Sequence, residues 1–175
     1  MTESQAQPWA DHIFQVLTDC KVRQVAYVPD AGHGRLIQMC RENGQLITVP
    51  LTTEEEGVAL ICGAWLGGHK GVLLMQSSGV GNCINMLSLP RVCQIPLLML
   101  VTMRGDWGEF NPWQFPMGQI AEKVLSLAGV LTFYVDDLCR VKDAVEAAAR
   151  MAFEGSTQTA VLLSQRILGA KTFGR

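Results

Sequence analysis

Short apolar runs alternate with longer segments whose apolar residues recur at helical spacing. The apolar runs predict strands at residues 24–29, 46–51, 71–76, 95–102, 131–135 and 159–164. The helical segments lie near 8–19, 33–43, 54–67, 80–89, 117–128 and 137–154. Because strands 71–76 and 95–102 are apolar throughout, they suit a parallel sheet with helices on both faces. The pattern predicts one domain over residues 1–175, a three-layer αβα fold of the α/β class with a central, mainly parallel sheet of about six strands.

The loops at the carboxyl ends of these strands are the expected ligand edge, since parallel α/β sheets bind ligands there. The loops concerned are 29–34, 51–55, 76–82 and 103–116. Asp30 and His33 lie just past the first strand, and His33 is the best placed histidine for carrying a proton or contacting a substrate. His12 and His69 suit structural or solvent-facing positions, and the three histidines are too scattered to indicate a metal site.

Composition limits the partners and the compartment. The formal net charge is -2 without a basic stripe, so we expect neither nucleic acid nor a membrane surface as a partner. The six cysteines form no CxxC pair and mostly lie in apolar runs, which favours reduced, core-filling thiols over disulfides or zinc. The polar N-terminus lacks the pattern of a signal peptide, and no apolar run reaches about 18 residues. We therefore predict a cytoplasmic protein.

Three consecutive glutamates, residues 54–56, open the third predicted helix. In one interpretation Thr52 or Thr53 caps this helix and the carboxylates match its dipole. In the other, Glu54 differs from its neighbours because it shares a helical face with Val58, Ile61 and Trp65. A carboxyl group directed into an apolar contact holds its proton more tightly and can exchange it near neutral pH.

Two further segments have candidate roles. "MQSSGVGNCINML" (75–87) could cradle a phosphate at a helix start, but it lacks the Lys-Ser/Thr of a P-loop and the third glycine of a dinucleotide motif, so a tight turn is an equal interpretation. "TMRGDWGEFNPWQFPMGQ" (102–119) is an irregular, aromatic-rich stretch, which favours an ordered lid or a subunit contact over a plain surface loop.

Together these stretches resemble the pyrimidine-binding (PYR) domain of thiamine diphosphate enzymes, and most closely the α subunits of sulfopyruvate decarboxylase and the equivalent half of phosphonopyruvate decarboxylase. The resemblance rests on "VPD" after the first strand, on "IPLLMLVTMRG", and above all on the ungapped block "TEEEGVALICGAWLGGHKGVLLMQSSGVGNCINMLSL". It extends over nearly the whole chain. It implies a lyase that converts a 2-oxo acid to an aldehyde and carbon dioxide.

The resemblance assigns the cofactor contacts. It places on Glu54 the carboxyl group that bonds the aminopyrimidine ring of thiamine diphosphate, with Glu55 as the alternative if the register shifts by one. The remaining expected cofactor contacts are Thr53, Ser78, Gly79, Gly81 and Asn82. Asp30 and His33 are expected to handle protons together with Glu54. The resemblance leaves that step open, because "MRGDWGEF" stands where other 2-oxo acid decarboxylases carry a His-His pair.

The resemblance also implies a partner. The diphosphate-binding half of these enzymes carries a GDG motif followed by asparagines that hold magnesium, whereas this chain has only "GDW" at 105–107. A separate β subunit should therefore supply the GDG motif and Mg²⁺, in an α/β hetero-oligomer with at least two copies of each chain. No metal ligand is expected in this chain. Its high hydrophobic content, 49%, fits a buried subunit interface.

Family likeness points to a small 2-oxo acid with a second anionic group, of the sulfopyruvate or phosphonopyruvate type. Arg104 is the expected partner of that anion, in competition with Arg35 and Arg91, and His33 and Gln76 are further expected substrate contacts. Two alternatives stay open: a subunit of a carboligase that uses the same cofactor, and a non-catalytic binding or regulatory subunit with the same fold.

Overall fold

The computed structural model describes residues 8–169. Six strands form one sheet in the order β2-β1-β3-β4-β6-β5, and every pairing is parallel. The strands are β1 (Val22–Tyr27), β2 (Ile47–Pro50), β3 (Lys70–Gln76), β4 (Leu97–Thr102), β5 (Leu131–Val135) and β6 (Gln158–Leu163). The predicted α/β architecture and all six predicted strands are confirmed. The expectation of a single domain over 1–175 extends beyond the described residues, as does the polar segment 1–7.

Helices cover both faces of the sheet and enclose two hydrophobic clusters. The eight helices within the described residues are α1 (Pro8–Asp19), α2 (Gly34–Glu42), α3 (Glu54–Leu66), α4 (Ser77–Cys83), α5 (Ser88–Val92), α6 (Phe115–Leu127), α7 (Val141–Gly155) and α8 (Gln165–Leu168). One cluster packs α1, α2 and α7 against one face of the sheet. The other cluster packs α3, α4 and α6 against the opposite face. Leu98 and Leu100 face the first cluster and Met99 and Val101 the second, so β4 is buried on both sides. This explains why its sequence is apolar without alternation.

The largest difference from the sequence prediction concerns residues 77–89. The segment SGVGN was expected to be a turn before a helix at 80–89, but α4 begins at Ser77 and a separate short helix, α5, follows. Gly79 and Gly81 lower the intrinsic helix propensity, which favours the turn interpretation in a lone sequence. Packing of α4 between α3 and α6 overrides that propensity.

The strand order reverses direction between β1 and β3. The chain leaves β1 toward β2 on one side and returns to β3 on the other, so the carboxyl ends of β1 and β3 border the crevice where open parallel sheets bind ligands. Asp30 follows β1 and Gln76 ends β3, so both lie at this crevice. Within residues 8–169, none of the helices combines the length and hydrophobicity needed to cross a bilayer.

Candidate functional site

A cleft of about 780 Å³ opens between the start of α3, the start of α4 and the segment that leads into α6. Its wall is formed by Glu54, Ser78, Gly79, Gly81, Asn82, Pro112, Trp113, Pro116 and Met117. Five of the six residues expected to contact the cofactor therefore lie on one cleft. Thr53 is the exception, because it precedes α3 outside the cleft wall. The volume lies within the usual range for cofactor sites.

Glu54 is the first residue of α3 and is nearly buried, with 8% of its surface exposed. Its Oε2 accepts a hydrogen bond of 2.7 Å from Nδ2 of Asn82, which joins the starts of α3 and α4. Gly79 makes this approach possible, because a Cβ atom at that position would collide with the Glu54 carboxyl group. The spacing between Glu54 and the SGVGN segment thus has a steric basis.

The other two glutamates have different environments. Glu55 is half-buried, whereas Glu56 is exposed and accepts a hydrogen bond of 3.0 Å from the Thr52 backbone N–H. The expected side-chain cap is absent: Thr53 occupies the N-cap position of α3 but its side chain makes no capping bond. Glu56 supplies a carboxylate for the free backbone donors at this end instead. The helix-start interpretation therefore holds for Glu56 and fails for Thr53, while Glu54 faces the cleft.

A second polar cluster surrounds Asp30 at the crevice of the sheet. Thr102 Oγ1 donates to Asp30 Oδ2 at 2.6 Å and Gln76 Nε2 donates to Oδ1 at 3.1 Å, so the ends of β3 and β4 both hold the carboxylate. Burial alone raises the pKa of Asp30, but His33 and hydrogen bonds from Thr102, the Gly32 backbone and Gln76 hold the pKa below its ordinary value. Asp30 is therefore ionised at neutral pH.

His33 lies beside Asp30 and is completely buried. Its Nδ1 is 3.8 Å from Asp30 Oδ2, and neither ring nitrogen has a hydrogen-bond partner among the described residues. Burial lowers the pKa of His33 to about 4, although Asp30 raises it in part. The imidazole is thus neutral near pH 7, and the hydrogen bonds rather than an imidazolium charge keep Asp30 ionised there. Because His33 is completely buried, its side chain does not line the cleft that Glu54 faces.

The burial of His33 predicts a pH dependence of stability. The folded-state pKa of about 4 lies below the ordinary 6.5, so the unfolded chain binds the proton more readily. This contribution to the free energy of unfolding should be complete above pH 6.5 and should decline by about 3 kcal/mol as the pH falls through the folded-state pKa. Urea unfolding of wild type and His33→Leu between about pH 7 and pH 4 measures it.

His33→Leu should flatten this decline, because it removes the group that titrates, whereas the control His69→Leu at an exposed site should leave it unchanged. An equal decline in His33→Leu and wild type would assign the pH dependence to another group.

Arg104 is not a free cation. Its Nε and Nη2 both bind the Glu109 carboxylate, with Nη2 to Oε1 at 2.8 Å, and only 1% of the Glu109 side chain is exposed. This contact raises the pKa of Arg104 and, together with the Asn111 backbone and Gln165, lowers the pKa of Glu109 to about 2 despite desolvation. The donors that Glu109 leaves to an anionic substrate group are both hydrogens of Nη1 and the second hydrogen of Nη2.

The segment 104–116 is held to the body of the domain by residues that the sequence did not single out: Gln165, Ser164 and Tyr134. Gln165, 1% exposed, accepts from the Gly105 backbone N–H at 2.8 Å and donates to Glu109 at 2.9 Å. Asp106 accepts from the Ser164 hydroxyl at 2.8 Å and from Tyr134 Oη at 2.7 Å. Gly105 turns with φ 80°, and a side chain there would collide with the Gln114 backbone. The segment is therefore ordered, and its expected role as a lid or a subunit contact stays a prediction.

Several curated proteins are similar to this chain in sequence. The chain is 38% identical over 122 residues to a sulfopyruvate decarboxylase subunit alpha from Methanocaldococcus jannaschii, covering 69% of this chain and 72% of the relative. The chain belongs to the sulfopyruvate decarboxylase α-subunit family. It is also 37% identical over 113 residues to a phosphonopyruvate decarboxylase from Streptomyces viridochromogenes, which covers 63% of this chain and 28% of that longer protein. The resemblance expected from the central block is confirmed.

The fold of the family also occurs in a distant solved structure. A 2-oxoglutarate:ferredoxin oxidoreductase from Magnetococcus marinus, with 2-oxoglutarate, coenzyme A and succinyl-CoA bound, superimposes with a TM-score of 0.74 at 13% identity. The match covers 91% of this chain and 29% of the oxidoreductase, so the shared fold forms only one part of that longer chain. No protein-family model matches the chain.

Proposed function

We propose that this chain is the pyrimidine-binding α subunit of a thiamine diphosphate-dependent 2-oxo acid decarboxylase. The observation that carries the proposal is the near-buried Glu54 on a cofactor-sized cleft, held by Asn82 and contacted by Gly79. Membership of a decarboxylase α-subunit family supports the same function.

The cleft fits the pyrimidine end of thiamine diphosphate. Glu54 has one carboxylate oxygen bonded to Asn82, which leaves Oε1 for a ring nitrogen of the cofactor. Gly81 has no side chain and allows a flat ring to approach the backbone of α4, and Met117 and Trp113 supply apolar surface on the same cleft. When bound, the cofactor supplies the electron sink for the bond that breaks as carbon dioxide leaves. Glu54 contributes by sharing a proton with the ring.

The diphosphate end requires groups from a partner. Within residues 8–169, no three His, Cys, Asp or Glu side chains are grouped so that they could hold a metal ion. We assign Mg²⁺ and the GDG motif to a β subunit because the resemblance places both on the diphosphate-binding half, whereas this chain has only GDW at 105–107. The complex should contain at least two copies of each chain. Six free cysteines support a reducing compartment such as the cytoplasm.

For the substrate we propose a 3-substituted pyruvate with a second anionic group, of the sulfopyruvate or phosphonopyruvate type. Asp30 and Gln76 lie at the crevice beside the cofactor cleft, where the reacting end of such a molecule would lie. Arg104 Nη1 is the proposed donor to the sulfonate or phosphonate group. Carbon dioxide release by the assembled α/β complex, compared among sulfopyruvate, phosphonopyruvate and pyruvate, tests the proposal. Equal rates with pyruvate would contradict the substrate class.

Arg104→Ala should lower kcat/KM for the anionic substrates about 10- to 100-fold, because a charge-assisted hydrogen bond is lost, and should affect pyruvate much less. The matched control is Glu109→Gln, which keeps the Arg104 charge but weakens the same segment. If both variants lower kcat/KM equally for all substrates, Arg104 stabilises the segment 104–116 and does not bind the anion.

A further inference from the structure

A chain of hydrogen bonds joins the buried Asp30 to the cofactor cleft. Thr102 and Gln76 donate to the two oxygens of Asp30, and the Gln76 Oε1 in turn accepts from the Ser78 hydroxyl at 2.9 Å. Asp30 has 7% of its side chain exposed, whereas Ser78 lies on the wall of the cleft. The hydrogen bonds therefore connect the crevice of the sheet to the surface that receives the ligand.

The direction of each bond is fixed by the ionised carboxylate. Asp30 can only accept, so the Gln76 amide must direct its NH₂ group to Asp30 and its carbonyl oxygen to Ser78. That carbonyl oxygen can only accept, so Ser78 must donate its single hydroxyl proton to it. Ser78 is left with lone pairs and no proton for a ligand in the cleft.

Asn82 on the same wall also offers an acceptor. One hydrogen of its NH₂ group is donated to Glu54 Oε2, and its amide oxygen is available to a ligand in the cleft. Two neighbouring side chains on α4 thus present acceptors, and a ligand edge that offers N–H donors is complementary to them.

We infer that Gln76 is a positioning residue, which through its contact with Asp30 fixes Ser78 as a hydrogen-bond acceptor for the amino group of the cofactor's pyrimidine. This inference depends on the proposed function. It gives Gln76 a role different from the substrate contact expected from the sequence, because its amide is engaged on both sides. It also gives Asp30 an effect on cofactor selection in addition to any part in proton handling.

The test compares two ligands of the assembled α/β complex: thiamine diphosphate, and its 4-oxo analogue, in which a carbonyl acceptor replaces the amino donor. Dissociation constants from calorimetry or from tryptophan fluorescence give the preference for the amino form. Wild type should prefer thiamine diphosphate, and Ser78→Ala should reduce this preference about five- to tenfold, the value of one hydrogen bond. A variant that only loosened the cleft, without changing its hydrogen-bonding polarity, would weaken the binding of both ligands equally.

Gln76→Met keeps the length of the side chain but frees the Ser78 proton, so it should reduce the preference to a similar extent. The double variant should lose no more of the preference for thiamine diphosphate than either single variant, because both changes remove the same interaction. Matched controls are Gln38→Met and Ser126→Ala, which replace exposed residues outside the cleft. They should keep the wild-type preference.

An unchanged preference in Ser78→Ala would overturn the inference, and so would a preference lost in Ser78→Ala but kept in Gln76→Met. If Gln76→Met fails to fold, Ser78→Ala still shows whether Ser78 accepts a hydrogen bond from the amino group. Failure of the wild-type complex to bind either ligand would contradict the proposed function itself, which separates the two failures.

Discussion

Glu54→Gln in the assembled α/β complex should lower the rate of carbon dioxide release about 10²- to 10⁴-fold, the usual contribution of a positioned acid-base group. The glutamine amide oxygen can still accept the hydrogen bond from Asn82, so the contact between α3 and α4 should survive. What is lost is the exchangeable proton shared with the pyrimidine ring. The measurement is kcat at saturating thiamine diphosphate, Mg²⁺ and 2-oxo acid.

Glu55→Gln is the matched control, because the neighbouring residue is only half-buried and does not line the cleft. It should keep turnover close to wild type. The opposite result, with a near-normal Glu54→Gln and an inactive Glu55→Gln, would place the cofactor contact on Glu55 and contradict the geometry described above.

The chain purified alone should not decarboxylate 2-oxo acids above the uncatalysed rate, and addition of the β subunit should restore turnover. Three groups of observations support this expectation. The cleft is open on the side of Trp113, which is 83% exposed, and the sequence lacks the GDG continuation that holds the diphosphate and its cation. Val92 and Leu127 are also more than three-quarters exposed, as expected of side chains that a partner covers.

The measurement is carbon dioxide release at a fixed α concentration while the β subunit is titrated. Activity should rise in proportion to β and reach a plateau at the stoichiometry of the complex. Full turnover of the isolated chain with thiamine diphosphate and Mg²⁺ would contradict the division of the cofactor site between two subunits.

The fold and the position of Glu54 were predictable because both depend on local patterns. Continuous apolar runs such as residues 97–102 indicate strands buried on two faces, and the helical face shared with Val58 and Ile61 separates Glu54 from its neighbours. The glycines of SGVGN indicated a turn, and the structure has a helix there instead. The segment nevertheless lies on the wall of the cleft, at the expected edge of the sheet. Gly79 is required by the close approach of Glu54 on α3, and packing of α4 against α3 and α6 outweighs the low helix propensity of the glycines.

The contacts that hold the site together were not predictable, because they join residues far apart in the chain. Gln165 contacts Glu109 across 56 positions, and Thr102 contacts Asp30 across 72. The pairing of Arg104 with Glu109 is short-range, yet a lone sequence does not show whether a loop arginine faces a ligand or a neighbouring carboxylate. Polar pairing depends on side-chain direction, which periodicity does not encode.

The position of Gln165 has a consequence for biosynthesis. Its amide holds the segment that contributes Pro112 and Trp113 to the cleft, and it belongs to the last helix of the described chain. The sheet can begin to assemble on the ribosome as its strands emerge, but the wall of the cleft cannot take its final form before residue 165 has left the exit tunnel. We therefore expect the proposed cofactor to bind only to chains in which residue 165 can reach the segment 104–116.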